Sequence, residues 1–287
     1  MSTSPEDRPS PGRIERGRPV PLRATVAAVE RITPHLVRIV VTGDDLANFV
    51  WSGPAAHFTL VLPGPGRGVD ALPAAGGRDA ARPDRGAQTR RTYTPRHWDP
   101  VTRRLTFDIV VHGDGPASRW GAAARVGDEL AVTSPLGRYD VERTAPWLVL
   151  AGDESALPAI ATILAVTPPD LPTTVLAEIG TASDEHDLGA DDGVDVRWLH
   201  RHTRPPGELL GETLRRVVPA GDGRVWVACE AGAMLVIRRW LIDERSLDRR
   251  AVSTRGYWSL GRTEGRTEPA PGASRWLRDP APGPPVP

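Results

Sequence analysis

An antiparallel six-stranded β-barrel followed by a doubly wound parallel-sheet domain is the fold this sequence predicts, and a change of pattern near residue 145 is the reason. Before it, short apolar or β-branched runs recur between the turn dipeptides Thr33-Pro34, Gly43-Asp44 and Asp99-Pro100. That spacing suits a small barrel. After it, strand-like runs alternate with helix-like ones, which implies a parallel sheet covered on both faces. A chain of 287 residues accommodates both units, placed here at 20–143 and 144–262.

In the first unit, strands are expected at 23–29, 36–41, 56–62, 91–96, 105–111 and 130–133, where residues alternate or run β-branched. A short helix is expected at 116–125. Residues 63–90 are rich in Gly, Ala, Pro and Arg and poor in large apolar residues, which reads as a mobile loop. In the second unit, strands are expected at 147–151, 174–179, 194–199, 224–228 and 251–257. Helices are expected at 159–166, 208–217 and 233–244. The ends, 1–19 and 263–287, are Pro-, Gly- and Arg-rich without periodicity and are expected to be disordered.

Charge narrows the function classes. The 36 acidic and 36 basic residues balance, and every basic one is arginine. Such a chain presents no global field for nucleic acid or an anionic membrane. One cysteine, Cys229, excludes an internal disulfide and a cysteine-ligated cluster. The seven histidines show no metal-ligand spacing, and His200 and His202 read as surface residues. Residues 1–19 lack the apolar core of a signal peptide, and no apolar run approaches the length of a membrane helix. A cytoplasmic protein, monomeric and without a metal site, is expected.

The segment R-T-Y-T-P-R, residues 91–96, carries the most chemistry. On a strand, Arg91 and Tyr93 share a face, and Thr94 takes the other unless the strand bends. A flavin asks for these parts: an arginine fork for its phosphates, an aromatic face for its ring and a small hydrogen-bonding group at its redox-active nitrogen. An edge strand with two solvated arginines has the same pattern. Next comes H-G-D-G-P-A-S-R-W, residues 112–120. Its glycines permit tight turns, and Pro116 suits a first helical turn. The amides of Ala117 and Ser118 then begin a helix, either as a pyrophosphate site or as an ordinary helix start.

Two further segments lie in the second unit. L-V-L-A-G-D-E-S-A-L-P-A-I, residues 148–160, is a strand, a glycine and a helix, the place where open α/β sheets bind ligands. Asp153 and Glu154 there would repel a phosphate, and a tight turn with acidic capping is the alternative. V-W-V-A-C-E-A-G-A-M, residues 225–234, puts Cys229 at a strand end where a nicotinamide ring could approach a flavin. A buried structural cysteine is the commoner case. Trp258, in R-G-Y-W at 255–258, ends the last strand and could cover a flavin.

In this order the segments, with D-E-R-S-L-D-R-R-A-V-S-T-R-G-Y-W at 243–258, resemble the siderophore-interacting proteins. These are FAD-dependent ferric-siderophore reductases related to the ferredoxin–NADP reductases. The resemblance covers about residues 20–262. It implies an FAD-binding barrel and a nicotinamide-binding-like second domain. Tyr93 would stack on the isoalloxazine, with Thr94 near its N5 edge and Arg91 on the phosphates. Gly115, Ala117 and Ser118 would hold the pyrophosphate, Val110 and His112 would line the flavin, and Asp153, Glu154 and Ser155 would face the cofactor cleft. NADPH, NADH or reduced ferredoxin would supply electrons for a ferric siderophore, with Arg96, Arg119 and Arg255 as substrate-side cations. Family members commonly carry a lysine and an arginine where this chain has Thr59 and Ser259, and a glycine in place of Cys229. The first two departures leave open a flavin reductase serving another acceptor, while Asp153, Glu154 and the absence of a glycine-rich phosphate loop leave open a non-catalytic flavin- or siderophore-binding protein.

Overall fold

The computed structural model describes residues 20–64, 72, 88–113 and 115–261. The two expected tails and most of the 63–90 segment lie outside these residues. The first sheet contains β1 (Pro21–Thr33), β2 (Leu36–Thr42), β3 (Phe58–Pro63), β4 (Gln88–Tyr93), β5 (Pro95–Asp99), β6 (Arg104–Val110) and β7 (Glu129–Thr133). Its order is β4-β3-β7-β1-β2-β6-β5, and every pair is antiparallel. The outermost members, β4 and β5, are separated in the chain by Thr94 alone, so the sheet closes into a barrel.

Six unbroken strands are expected from the sequence; the structure has seven segments because the R-T-Y-T-P-R strand breaks at Thr94. Pro95 has no N–H to continue a ladder, and the chain turns there from β3 to β6 as its partner. Alternation fills the interior: Leu22, Ala24 and Val26 of β1, Val37, Ile39 and Val41 of β2, and Phe58, Leu60 and Leu62 of β3 are all buried. Gln88 already belongs to β4, and Leu72, inside the expected loop, is buried against Val61 and Ala131 on the barrel's outer side. Helix α1 (Pro116–Ala123) packs Ala117 into the same interior.

The second sheet has the parallel order β10-β9-β8-β11-β12, built from β8 (Leu148–Asp153), β9 (Thr173–Ile179), β10 (Asp195–His200), β11 (Arg224–Glu230) and β12 (Val252–Trp258). Leu148 and Leu150 face α2 (Leu157–Leu164), whereas Val149 and Ala151 face α3 (Glu208–Val217) and α4 (Ala231–Arg239). Both faces are thus covered, as the near-continuous apolar strands require. Strand order reverses between β8 and β11, which puts a crevice at their carboxyl ends. Gly152 allows that approach: a Cβ there would lie 2.4 Å from the Ala156 Cβ and 2.6 Å from the Ala228 carbonyl oxygen.

Candidate functional site at the seam of the two sheets

The barrel meets the face of the parallel sheet that carries α2. The Ala55 amide donates to Thr162 Oγ1 at 2.9 Å. Thr33 Oγ1 and His35 Nδ1, in the β1–β2 turn, each lie 3.0 Å from the Asp184 carboxylate. Nearer the carboxyl ends of the strands, β12 supplies two aromatic residues. It carries a β-bulge: Gly256 opposes Cys229 and Trp258 opposes Glu230, so Tyr257 is extra. Bulges re-aim side chains. Here the Tyr257 ring stands edge-on to Trp226, centroids 6.4 Å apart, and burial pushes its phenol up to about 12. The Trp258 ring lies 6.3 Å from that of His112. His112 on the barrel thereby meets the end of β12.

Each expected site residue has a definite place. Tyr93 is half-buried on the barrel wall, 6.1 Å from Phe107. Thr94 is buried at the strand break. Arg91 is part-exposed on β4, with Nη1 donating to the Arg90 carbonyl. Val110 ends β6. Gly115 precedes α1, no N-cap side chain occupies the helix start, and Pro116 fills its first position. Ser118 Oγ accepts from the His112 amide at 2.8 Å, so its hydroxyl shapes the 112–118 turn and its backbone amide is the group that can face a ligand.

The carboxyl edge of the parallel sheet behaves differently. Asp153 is 1% exposed. Its Oδ1 accepts from the Ser155 amide at 3.0 Å and the Ser155 hydroxyl at 2.5 Å; its Oδ2 accepts from the Glu230 amide at 2.9 Å and Trp258 Nε1 at 2.7 Å. Four donors exhaust the lone pairs of a carboxylate. Asp153 and Ser155 therefore bond to each other and to the strand ends, and Asp153 has no lone pair left for a ligand. Burial still pushes the Asp153 carboxyl up to about 6. Glu154 pairs with Arg201 at 2.6 Å. Glu178, fully buried, accepts from the amides of Gly207 and Leu210 at the start of α3, and burial pushes it up to about 7. Glu230 accepts from the Ala233 amide in α4 and the Leu260 amide.

The remaining candidates separate. Arg255 is exposed on β12 and lies close enough to His57 to help burial lower the imidazole pKa. Arg119 is exposed on α1. Arg96 points elsewhere: it donates to the Leu188 carbonyl at 3.4 Å and lies part-buried beside the β9–β10 connection. Cys229 sits in the opposite core, among Val227, Ala233 and Ile237. Ala228, one residue earlier, faces α2. The alternation of a strand thus turns the sulfur away from the barrel, in place of the approach to a nicotinamide considered from sequence.

The barrel has the parts an FAD needs: a half-exposed tyrosine, an arginine, a buried hydroxyl and a helix start without a side-chain cap. Residues 25–139 match the family of siderophore-interacting FAD-binding domains, and 145–261 match that of siderophore-interacting proteins. The chain belongs to the siderophore-interacting protein family. It is 36% identical to an uncharacterized protein of Mycobacterium tuberculosis, over 85% of this chain and 92% of that one. It is 29% identical to the ferric vibriobactin reductase ViuB of Vibrio cholerae, over 81% and 87%. The crystal structure of a siderophore utilization protein from T. fusca superposes with a TM-score of 0.75 at 36% identity, covering 85% of this chain and 94% of that one. The Amycolatopsis cytochrome P450 reductase GcoB, at 18% identity and TM-score 0.63, covering 83% of this chain and 70% of that one, shares the fold. Among the described residues no helix is long and apolar enough to cross a membrane.

Proposed function

We propose that this siderophore-interacting protein is an FAD-dependent reductase of ferric siderophores, with NAD(P)H or ferredoxin as electron donor. The observation that carries the reading is the meeting of His112, in the turn before the open start of α1, with Trp258 at the aromatic end of β12. Tyr93 would stack on the flavin ring, Thr94 would hydrogen-bond its reactive edge, and Arg91 would hold phosphate. The amides of Gly115, Ala117 and Ser118 would receive the pyrophosphate, with Val110 and His112 lining the cofactor. A bound flavin supplies the conversion of a two-electron donor into one-electron delivery. Two ferric ions are reduced for each hydride delivered, and iron(II), held far more weakly by the chelator, is released.

On the donor side, Arg197, Arg201 and Arg204 are paired with Asp195, Glu154 and the Glu208–Glu212 pair. Cations already neutralised are poor receptors for a 2′-phosphate, which favours NADH over NADPH. On the acceptor side, Arg255 and Arg119 are the exposed cations of the proposed site, and Thr59 and Ser259 are uncharged. That lack of charge supports a second reading, a flavin reductase serving a different acceptor.

One experiment separates the readings. The purified protein is scanned for FAD absorbance, bleached anaerobically with NADH, NADPH or reduced ferredoxin, and then mixed with ferric chelates. Iron-dependent recovery of the flavin band is the expected result. Absence of FAD would sink the cofactor assignment. Bleaching without any response to ferric chelates would leave the second reading standing, and flavin that no donor bleaches would point to a binding protein. The residue assignments are checked by Tyr93→Ala, expected to perturb the flavin spectrum, and Arg91→Ala, expected to lower FAD retention.

A further inference from the structure

We infer that the cavity at the amino edge of the parallel sheet is a second binding site, for a small polyanion carrying two or more phosphate or carboxylate groups. It lies apart from the flavin seam and stands independently of the FAD reading.

The cavity has a volume of about 410 Å³, within the range of small-molecule sites. One side is the connection between the two domains, where Arg138, Asp140 and Glu142 stand. The other is the start of β11 and β12, with Arg224, Arg250 and Ser253. Domain boundaries are favoured places for ligand sites. Register puts Arg224 and Ser253 on one face of the sheet, because Ser253 pairs with Trp226, two residues after Arg224. The flavin seam is at the other end of these strands. β11 has seven residues, so Arg224 and Glu230 are about 20 Å apart along the sheet.

Donors in this lining outnumber the acceptors the protein gives them. Three guanidiniums face two carboxylates. Asp140 holds Arg138 Nε at 2.9 Å. Arg224 Nη2 stands 3.9 Å from the Glu142 carboxylate, too far for a hydrogen bond, while its Nη1 donates to the carbonyls of Asp222 and Gly223. Arg250 is exposed, and only its amide is engaged, by Asp248. Among the described residues the Arg250 guanidinium and the Ser253 hydroxyl have no partner. A guanidinium fork without an acid suits an oxyanion. Arg250 and Arg224 belong to the starts of neighbouring strands, and the cavity between them and the connection exceeds the volume of one phosphate. A ligand that engages both forks therefore carries two oxyanion groups. Asp140 and Glu142 oppose it, which gives the site a signature: removing an acid should tighten binding.

The test titrates the full-length protein with pyrophosphate and, separately, with citrate at constant ionic strength, and reads calorimetric binding and thermal unfolding. Saturable binding of at least one is expected, with Tm rising as its concentration rises. The tighter of the two identifies the oxyanion type. Arg250→Ala should weaken binding about 10-fold or more, the loss of a charged hydrogen-bond donor. Glu142→Gln should tighten it about 3-fold, as an exposed opposing charge is removed. Neither variant should move the flavin band or slow donor-driven bleaching, which separates this site from the seam. A merely structural role for Arg250 would lower Tm and leave the affinity for the anion unchanged. That result, the absence of saturable binding with both anions, or a stabilisation that sodium chloride reproduces at matched ionic strength would overturn the inference. Parent protein without FAD would overturn the cofactor reading alone, since the anion titration needs no flavin.

Discussion

Helix starts in the two halves of the molecule are completed in opposite ways. In the barrel, α1 begins at Gly115 with no N-cap side chain on its first amides. In the parallel sheet, Glu178 takes amides at the start of α3, Glu230 takes one in α4, and Asp153 takes the Ser155 amide in the turn into α2. The carboxyl edge of a doubly wound sheet is the usual place for an anionic ligand. Here the protein's own carboxylates occupy the starts of α3 and α4 and the turn before α2, while α2, like α1, has no side chain on its own first amides. The seven-stranded sheet thus leaves the α1 donors open, whereas the five-stranded sheet ties most of its edge donors to its own carboxylates.

The comparison breaks most directly at Gly152, because the acid-capped edge depends on β8 approaching α2 and β11 closely. In Gly152→Ala, the new methyl has a backbone carbonyl 2.6 Å away, and backbone cannot swing aside. Overpacking of this kind costs about 3 kcal/mol or more, measurable by urea unfolding. A stability equal to the parent's would mean that the strand ends are looser than the hydrogen bonds around Asp153 imply.

A buried acid of the barrel sharpens the contrast. Asp108 faces Arg38 across the β2–β6 pair and accepts from Nε at 2.8 Å and Nη2 at 2.9 Å. It is satisfied by a cation, whereas Asp153, Glu178 and Glu230 are satisfied mainly by neutral N–H groups. Asp108→Ala strands a half-buried guanidinium and should cost about 3 kcal/mol. Replacing both partners with apolar residues of similar size should recover most of that, since the pair itself offsets little more than its own desolvation.

Proton linkage tells the two kinds of acid apart. Glu178 is held at about 7 and Asp153 at about 6, above their ordinary 4.5 and 3.8. The folded state therefore holds these protons more tightly than the unfolded chain. Their contribution is fully present below about pH 4 and is lost as pH rises toward 7. Unfolding free energy should accordingly fall between about pH 4 and pH 7, and Glu178→Gln should remove about 3 kcal/mol of that fall. A slope that survives in both Glu178→Gln and Asp153→Asn would assign the linkage to other groups.

Legibility in the sequence followed the range of the interactions involved. Alternation and turn dipeptides are local, so the barrel strands and the βα pattern could be read, and 208–217 matches α3 to the residue. The flavin strand was visible as a hexapeptide, but its break at Thr94 depends on the change of partner from β3 to β6, which no local pattern encodes. Tyr257 went unremarked for the same reason: its placement against Trp226 arises from a bulge opposite β11, signalled only by the adjacent Gly256. Asp153 was legible as an acid at a strand end, but its hydrogen-bond partners were not. Its partners Glu230 and Trp258 lie 77 and 105 residues away, and only the folded chain brings them together.

Cys229 gives the smallest expected effect and the cleanest check on which face of the parallel sheet serves the seam. A thiol at the end of a central strand looks chemically poised, yet its sulfur lies in the core shared with α3 and α4, and burial pushes its pKa well above the ordinary range. Thiolate is the reactive form, so the native protein should not react with a thiol reagent that labels the unfolded chain at once. Cys229→Ala trims a small buried group and should cost about 1 kcal/mol. Donor-driven flavin bleaching should proceed at the parent rate, because Ala228, not Cys229, faces the side that meets the barrel. Rapid labelling of the native thiol, or bleaching that slows with the alanine, would place the sulfur on the seam and reverse the assignment of the two faces.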